Sequence, residues 1–176
     1  MTRPMPVQQY KRVNQVTEGK KPVPSLYEWL GGAAVLNALM TKFYERVSAD
    51  ELLRPLFAEM PADHPKHVAD FVGEVMDGPQ DYTATRGGHA TMLAHHFGRN
   101  ISEAQRRRWV DLLLDCADET GLPDDAEFRS ALVAYLEWGS RLAVMNSKLP
   151  PGTETDPTTP MPKWGWGVPG GPYVPE

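Results

Sequence analysis

Between residues 25 and 148 the hydrophobic positions recur three and four apart, the period of one α-helical face. Nowhere do they alternate with polar residues as a half-buried strand requires. The pattern predicts an all-α chain. Ser25 followed by Glu28 has the form of a capping box and opens a short helix through Leu30, which Gly31 and Gly32 end. Val35, Leu36, Leu39, Met40, Phe43 and Val47 give the next segment one apolar face, stopped at Ser48-Ala49-Asp50. A helical turn through Leu52 and Leu53 is expected to end before Pro55, with Phe57 closing the corner. Asp63 is positioned to cap a helix with Pro65 in its first turn, which runs through Val68, Phe71, Val72 and Val75 to a stop at Gly78-Pro79. After an irregular stretch holding Tyr82 and Gly87-Gly88 comes a short helix from His89 to His96. Ser102 and Gln105 make a second capping box, with Trp109, Val110, Leu112, Leu113 and Cys116 as the buried stripe of a helix reaching Gly121. The last helix starts near Asp124 and carries Phe128, Leu132, Tyr135, Leu136, Leu142 and Met145.

The ends differ from this middle. Residues 1–24 have no sustained period and form an N-terminal extension. Residues 149–176 are dense in proline and glycine and cannot propagate a helix, yet they carry Trp164, Trp166 and Tyr173, so this C-terminal extension is expected to pack onto the domain or onto a partner. With 176 residues and 41% hydrophobic content, the chain suffices for one core, in a domain spanning residues 25–148.

Charge and cysteine content narrow the chemistry. The net charge of -5 gives no global basic field to gather nucleic acid, and Arg106-Arg107-Arg108 at a helix start is a solvated patch. The single cysteine, Cys116, excludes an intramolecular disulfide and a thiolate cluster, and its apolar neighbours make it a small buried hydrophobe. No apolar run approaches the roughly 18 residues of a membrane span, and the N-terminus lacks a secretory core, so a soluble, cytoplasmic protein without a membrane partner is expected.

All five histidines, His64, His67, His89, His95 and His96, fall within one window of 33 residues. Imidazole is the commonest neutral ligand of transition metals, so such clustering points to a metal or a metal-bearing cofactor. A closed zinc site wants four ligands; His89 and His96 share one helical face while His95 points about 100° away, and nothing nearby completes a set. A haem iron needs only one protein ligand and suits this arrangement better.

From Ser25 to about Ser147 the chain resembles the group II truncated haemoglobins, short globins with a two-over-two helical sandwich. The resemblance rests on Gly31-Gly32, Phe43-Tyr44, the Leu53-Arg54-Pro55-Leu56-Phe57 corner, Phe71 followed by Gly78-Pro79, Tyr82, the His89 to His96 segment, Ile101-Ser102 and Trp109. It implies a truncated globin with irregular N- and C-terminal extensions, holding haem b with His96 as the ligand of its iron. Tyr44 and Trp109 match the tyrosine and tryptophan facing the bound gas. Phe57 matches the aromatic wedged against the porphyrin, His64 falls at the distal gate, Val68 over the iron, and Phe71 at the haem edge. His89 matches a histidine near a propionate, and Arg99 is a candidate partner for a propionate because a guanidinium suits a carboxylate. The chain departs from the family by one extra residue between Tyr82 and His89, and by Asp77 where a glycine is usual.

The same resemblance implies binding of oxygen, nitric oxide and carbon monoxide. Several distal donors would hold oxygen too firmly for delivery, which suits nitric oxide dioxygenase or peroxidase chemistry supplied by a reductase. The alternative is a gas sensor or ligand store that signals through the aromatic C-terminal tail.

Overall fold

The computed structural model describes residues 22–167; most of the N-terminal extension, and Tyr173, lie outside the described residues. The helices in chain order are α1 (Leu26–Leu30), α2 (Ala33–Ala49), α3 (His64–Val75), α4 (Asp81–Arg86), α5 (His89–Ala94), α6 (Glu103–Glu119) and α7 (Ala126–Asn146), with a 3-10 turn at Arg54–Phe57. α2 packs on α3 in one layer and α6 on α7 in the other, while α2 also contacts α6 across the layers. This is an all-α two-over-two sandwich. Phe43, Val47, Leu53, Val75, Met76, Cys116 and Phe128 form its fully buried centre. Among the described residues, no helix is long and apolar enough to cross a membrane.

Both capping boxes form as their sequences dictate. Ser25 accepts the Glu28 N–H while the Glu28 carboxylate accepts the Ser25 N–H, and Ser102 and Gln105 repeat the exchange at the start of α6. Asp50 after α2 accepts the N–H groups of Leu52 and Leu53 and pairs with Arg108 of α6 at 2.6 Å. That carboxylate ties the corner carrying Phe57 to the second layer.

Five expectations are corrected. Arg106 does not face water with its neighbours: it is buried, its guanidinium donating to Glu103, Glu137 and Ser140. The turn expected before Pro55 instead contains it, because the first turn of a helix leaves its N–H groups unbonded and tolerates the ring. Asp63 precedes α3 without capping it, its carboxylate turning to His67 at 2.9 Å and Arg86 at 3.1 Å. α3 ends at Val75, since Asp77 takes a left-handed φ of 68° that an aspartate tolerates better than most residues. Finally, the stretch around Tyr82 is helical. Its six residues are too few to display a hydrophobic period, and the buried Glu74 carboxylate holds it by accepting Thr83 N–H at 2.9 Å and Thr83 O–H at 2.5 Å.

The described part of the C-terminal tail folds back over the domain. The Trp164 indole donates to the Ala131 carbonyl of α7 and the Trp166 indole to the Pro24 carbonyl, with Trp166 edge-on to Trp29 at 5.4 Å. Of the two occupants the sequence left open for these tryptophans, the structure provides the domain itself.

Candidate functional site

α2, α3 and the 3-10 turn converge an aromatic cluster. The Tyr44 ring meets His64 edge-on at 4.8 Å and Phe57 at 5.5 Å, and Phe57 lies 6.0 Å from His64. Trp109 reaches the same cluster from α6, edge-on to Phe43 at 5.2 Å. Tyr44 is fully buried because it lies on the inward stripe of α2. Burial holds its phenol protonated far above the usual range, with the Trp109 indole beside its hydroxyl partly opposing that rise. The hydroxyl is therefore a donor at any physiological pH.

His64 stands at the first position of α3, and its Nε2 is buried without a hydrogen-bond partner. A buried ring nitrogen left unpaired costs about 1–3 kcal/mol. Burial, then the neighbouring charges of His67, His95 and Arg99, pushes its pKa down to about 4, so the ring is neutral. Such an atom marks a place for a ligand.

The adjacent histidines lie in the turn after α5. The helix ends at Ala94, short of the expected His96, and His95 and His96 continue it as a turn that Gly98 closes with a φ of 75°. The Nδ1–H of His96 donates to the Met92 carbonyl four residues back at 3.0 Å, which fixes the tautomer and leaves the Nε2 lone pair free. Burial holds its pKa below the usual histidine range, opposed by that same hydrogen bond. His95 differs: it is exposed and faces the charges of Arg99 and Arg86.

The remaining candidates line the edges. Phe71 is buried against Tyr82 at 5.1 Å and lies 6.2 Å from the His89 ring; Val68 is half-buried against the core. His89 does not have both nitrogens free, because its Nδ1–H donates to the Pro160 carbonyl of the tail at 3.0 Å. Arg99 is exposed, with its Nε donating to the His95 carbonyl, so its two terminal nitrogens remain to meet an anion. An open cleft of about 400 Å³ lies here, lined by Pro55, Leu56, His95, Phe97 and Arg99. Among the described residues, no group of three or more His, Cys, Asp or Glu side chains is arranged to hold a metal ion.

Three participants escape the sequence reading. Met92 was findable, since a helical carbonyl four residues before a histidine is the standard acceptor for its Nδ1. Arg86, which contacts His67 and Asp63, and Pro160 are brought in only by the tertiary fold.

The depressed His64 pKa makes a prediction for protein purified without added cofactor. Below pH 6.5 the unfolded chain takes up a proton that folded His64 refuses until about pH 4. Stability is therefore fully present above pH 6.5 and falls across that interval, by an amount of order 2 kcal/mol after allowing for the ring's partial exposure. His64→Leu should flatten the decline and raise stability at neutral pH, as read by urea unfolding at pH 7 and pH 5. An unaltered pH slope would put this ring in water.

Comparison with known proteins places the chain among globins. Residues 25–138 match the bacterial-like globin family. A group 2 truncated haemoglobin of Bacillus subtilis is 30% identical over 110 residues, covering 62% of this chain and 81% of its own. The crystal structure of a truncated oxygen-avid haemoglobin from Bacillus subtilis superposes with a TM-score of 0.61 at 29% identity, covering 69% of this chain and 99% of that one. The group II two-on-two haemoglobin of Agrobacterium tumefaciens superposes at 0.58 with 27% identity, over 77% and 99% of the two chains.

Proposed function

The chain belongs to the bacterial-like globins as a group II truncated haemoglobin, and on that premise we propose that it binds haem b through His96 and turns over oxygen with nitric oxide or peroxide. Two neutral imidazoles support this reading: His96, with one nitrogen fixed and the other free, and above all His64, with a buried nitrogen that nothing among the described residues satisfies. A site for a flat, iron-bearing group accounts for both. Phe57 and Phe71 supply apolar surface for such a ring, and Arg99, which lines the cleft, supplies a cation for its carboxylates.

Haem, when bound, would supply an iron able to take one protein ligand and a diatomic gas. His96 Nε2 would hold that iron, with donation from Nδ1 to the Met92 carbonyl orienting the ring and raising its basicity. Tyr44, held protonated by burial, would donate to the bound gas, and Trp109 would add an indole N–H. His64, neutral above about pH 4, can accept or donate a proton there.

Each hydrogen bond to a charged acceptor contributes about 1.5–3 kcal/mol. Two or three donors suit a reaction in which negative charge develops on oxygen, rather than a ligand that must leave easily. The description of the Bacillus subtilis relative as oxygen-avid agrees with this weighing. A reductase partner and a cytoplasmic location belong to the same proposal, as does a globin domain of residues 25–148. The sensor reading loses support because both tail indole N–H groups are occupied within the chain, by the Ala131 and Pro24 carbonyls.

The test is direct. The reconstituted protein should show a Soret band, and mixing its oxygenated ferrous form with nitric oxide should give rapid conversion to the ferric form with nitrate as product. Slow or absent conversion, with peroxide turnover also missing, would leave a ligand store.

A further inference from the structure

α5 is six residues long, far below the ~12–15 at which a helix sustains itself, and among the described residues no other helix packs extensively on it. Of its six residues only Ala90 is fully buried. Left-handed glycines, Gly88 and Gly98, bracket the segment and allow it to swing. Something other than helix packing must fix it.

The C-terminal tail does so at both ends. Behind the turn carrying His96, the Gly98 N–H donates to the Leu149 carbonyl at 2.8 Å and the Asn100 N–H to the Ser147 carbonyl at 2.9 Å. The Ile101 N–H donates to the Ser147 hydroxyl at 3.0 Å, and Lys148 Nζ donates to Asn100 Oδ1 at 2.6 Å and to the Ile101 carbonyl at 2.8 Å. Pro151 closes so tightly over Gly98 that a Cβ there would come within 2.5 Å of its ring. At the front of α5, the Pro160 carbonyl accepts from His89.

The tail is itself anchored to the rigid layers. It continues from α7, and at its far end Trp164 N–H donates to the Val75 carbonyl at the end of α3 at 2.9 Å, while the Trp164 ring packs at a tilt against Tyr135 and Trp138 of α7. Trp166 fixes the last described residues to Pro24 and Trp29.

We propose that Ser147–Trp166 is a strap that positions α5 and the His96 turn, with Lys148, Pro160 and Trp164 as its positioning residues. The proposal rests on the reading of His96 as the haem ligand, but its first test needs no haem. A strap anchored at both ends restricts the swing of α5 and so holds the His96 ring in one place.

The experiment uses the full chain. Amide hydrogen exchange in the haem-free protein should speed up about tenfold across residues 89–101 in Trp164→Ala, with α2 and α6 unchanged. Should Trp164→Ala fail to fold, Lys148→Met removes only the contacts to Asn100 and Ile101 and should loosen residues 98–101 alone. In the haem-loaded protein, transfer of haem to an excess acceptor globin should be several-fold faster in either variant. Unaltered exchange in residues 89–101 would overturn the strap. Faster exchange with unaltered haem transfer would also overturn it, since the tail would then hold α5 without governing His96. Loss of haem binding only in His96→Ala keeps the ligand reading apart from both results.

Discussion

Replacing His96 by alanine is expected to abolish stable haem binding, while replacing its neighbour His95 leaves the spectrum of the reconstituted protein intact. The two imidazoles are adjacent in sequence, yet the turn after α5 treats them differently. His96 is partly buried, its Nδ1–H is committed to the Met92 carbonyl and its Nε2 is left as a lone pair of fixed direction. His95 is exposed, and Arg99 and Arg86 place positive charge beside it, which opposes a second cation at the same ring. Because outer partners of a metal-bound imidazole already account for 10–100-fold in affinity, loss of the imidazole itself should weaken haem retention by roughly a hundredfold or more. Titration with haem, followed in the Soret region, measures it. If His95→Ala loses haem and His96→Ala retains it, the ligand has been assigned to the wrong neighbour.

The distinction between these histidines could be read from the sequence only through register. The spacing to Ser102 and Trp109 points to His96, and the fold adds a difference between the two that fits, a carbonyl one turn back that accepts the His96 Nδ1–H. Local signals of that range were legible throughout: both capping boxes, the apolar stripes of α2, α6 and α7, and the burial of Cys116 follow from residues three or four apart. What escaped was either too short to carry a period or determined by distant chain. α4 spans six residues and depends on a buried carboxylate from α3. Asp63 looks like a helix cap until Arg86, distant in sequence, claims its carboxylate. The occupant of the tail tryptophans was equally undetermined, because an aromatic residue in a proline-rich segment signals that it will be buried but not against what. His89 shows the cost of that gap. Its match to a propionate neighbour is compatible with a free Nε2, but its other nitrogen belongs to the tail.

Trp109→Phe is expected to raise the oxygen dissociation rate of the haem-loaded protein by about ten- to a hundredfold. The estimate follows from one hydrogen bond to a charged acceptor, about 1.5–3 kcal/mol, at 1.4 kcal/mol per factor of ten. Phenylalanine preserves the edge-on contact with Phe43 at 5.2 Å, so the layer packing between α2 and α6 survives and the N–H is what is lost. That N–H acts in two ways. It can donate to the ligand itself, and it stands beside the Tyr44 hydroxyl, where a donor on the phenol oxygen leaves the phenol proton free to point into the pocket. The companion variant Tyr44→Phe separates the routes: if the indole works through the phenol, the double variant should be no faster than Tyr44→Phe alone, whereas independent donors should multiply their effects. Displacement of oxygen by carbon monoxide in a stopped-flow instrument gives all four rates. A rate unaltered by Trp109→Phe would show that the indole serves only the packing of α6, and would leave Tyr44 and His64 as the groups holding the gas.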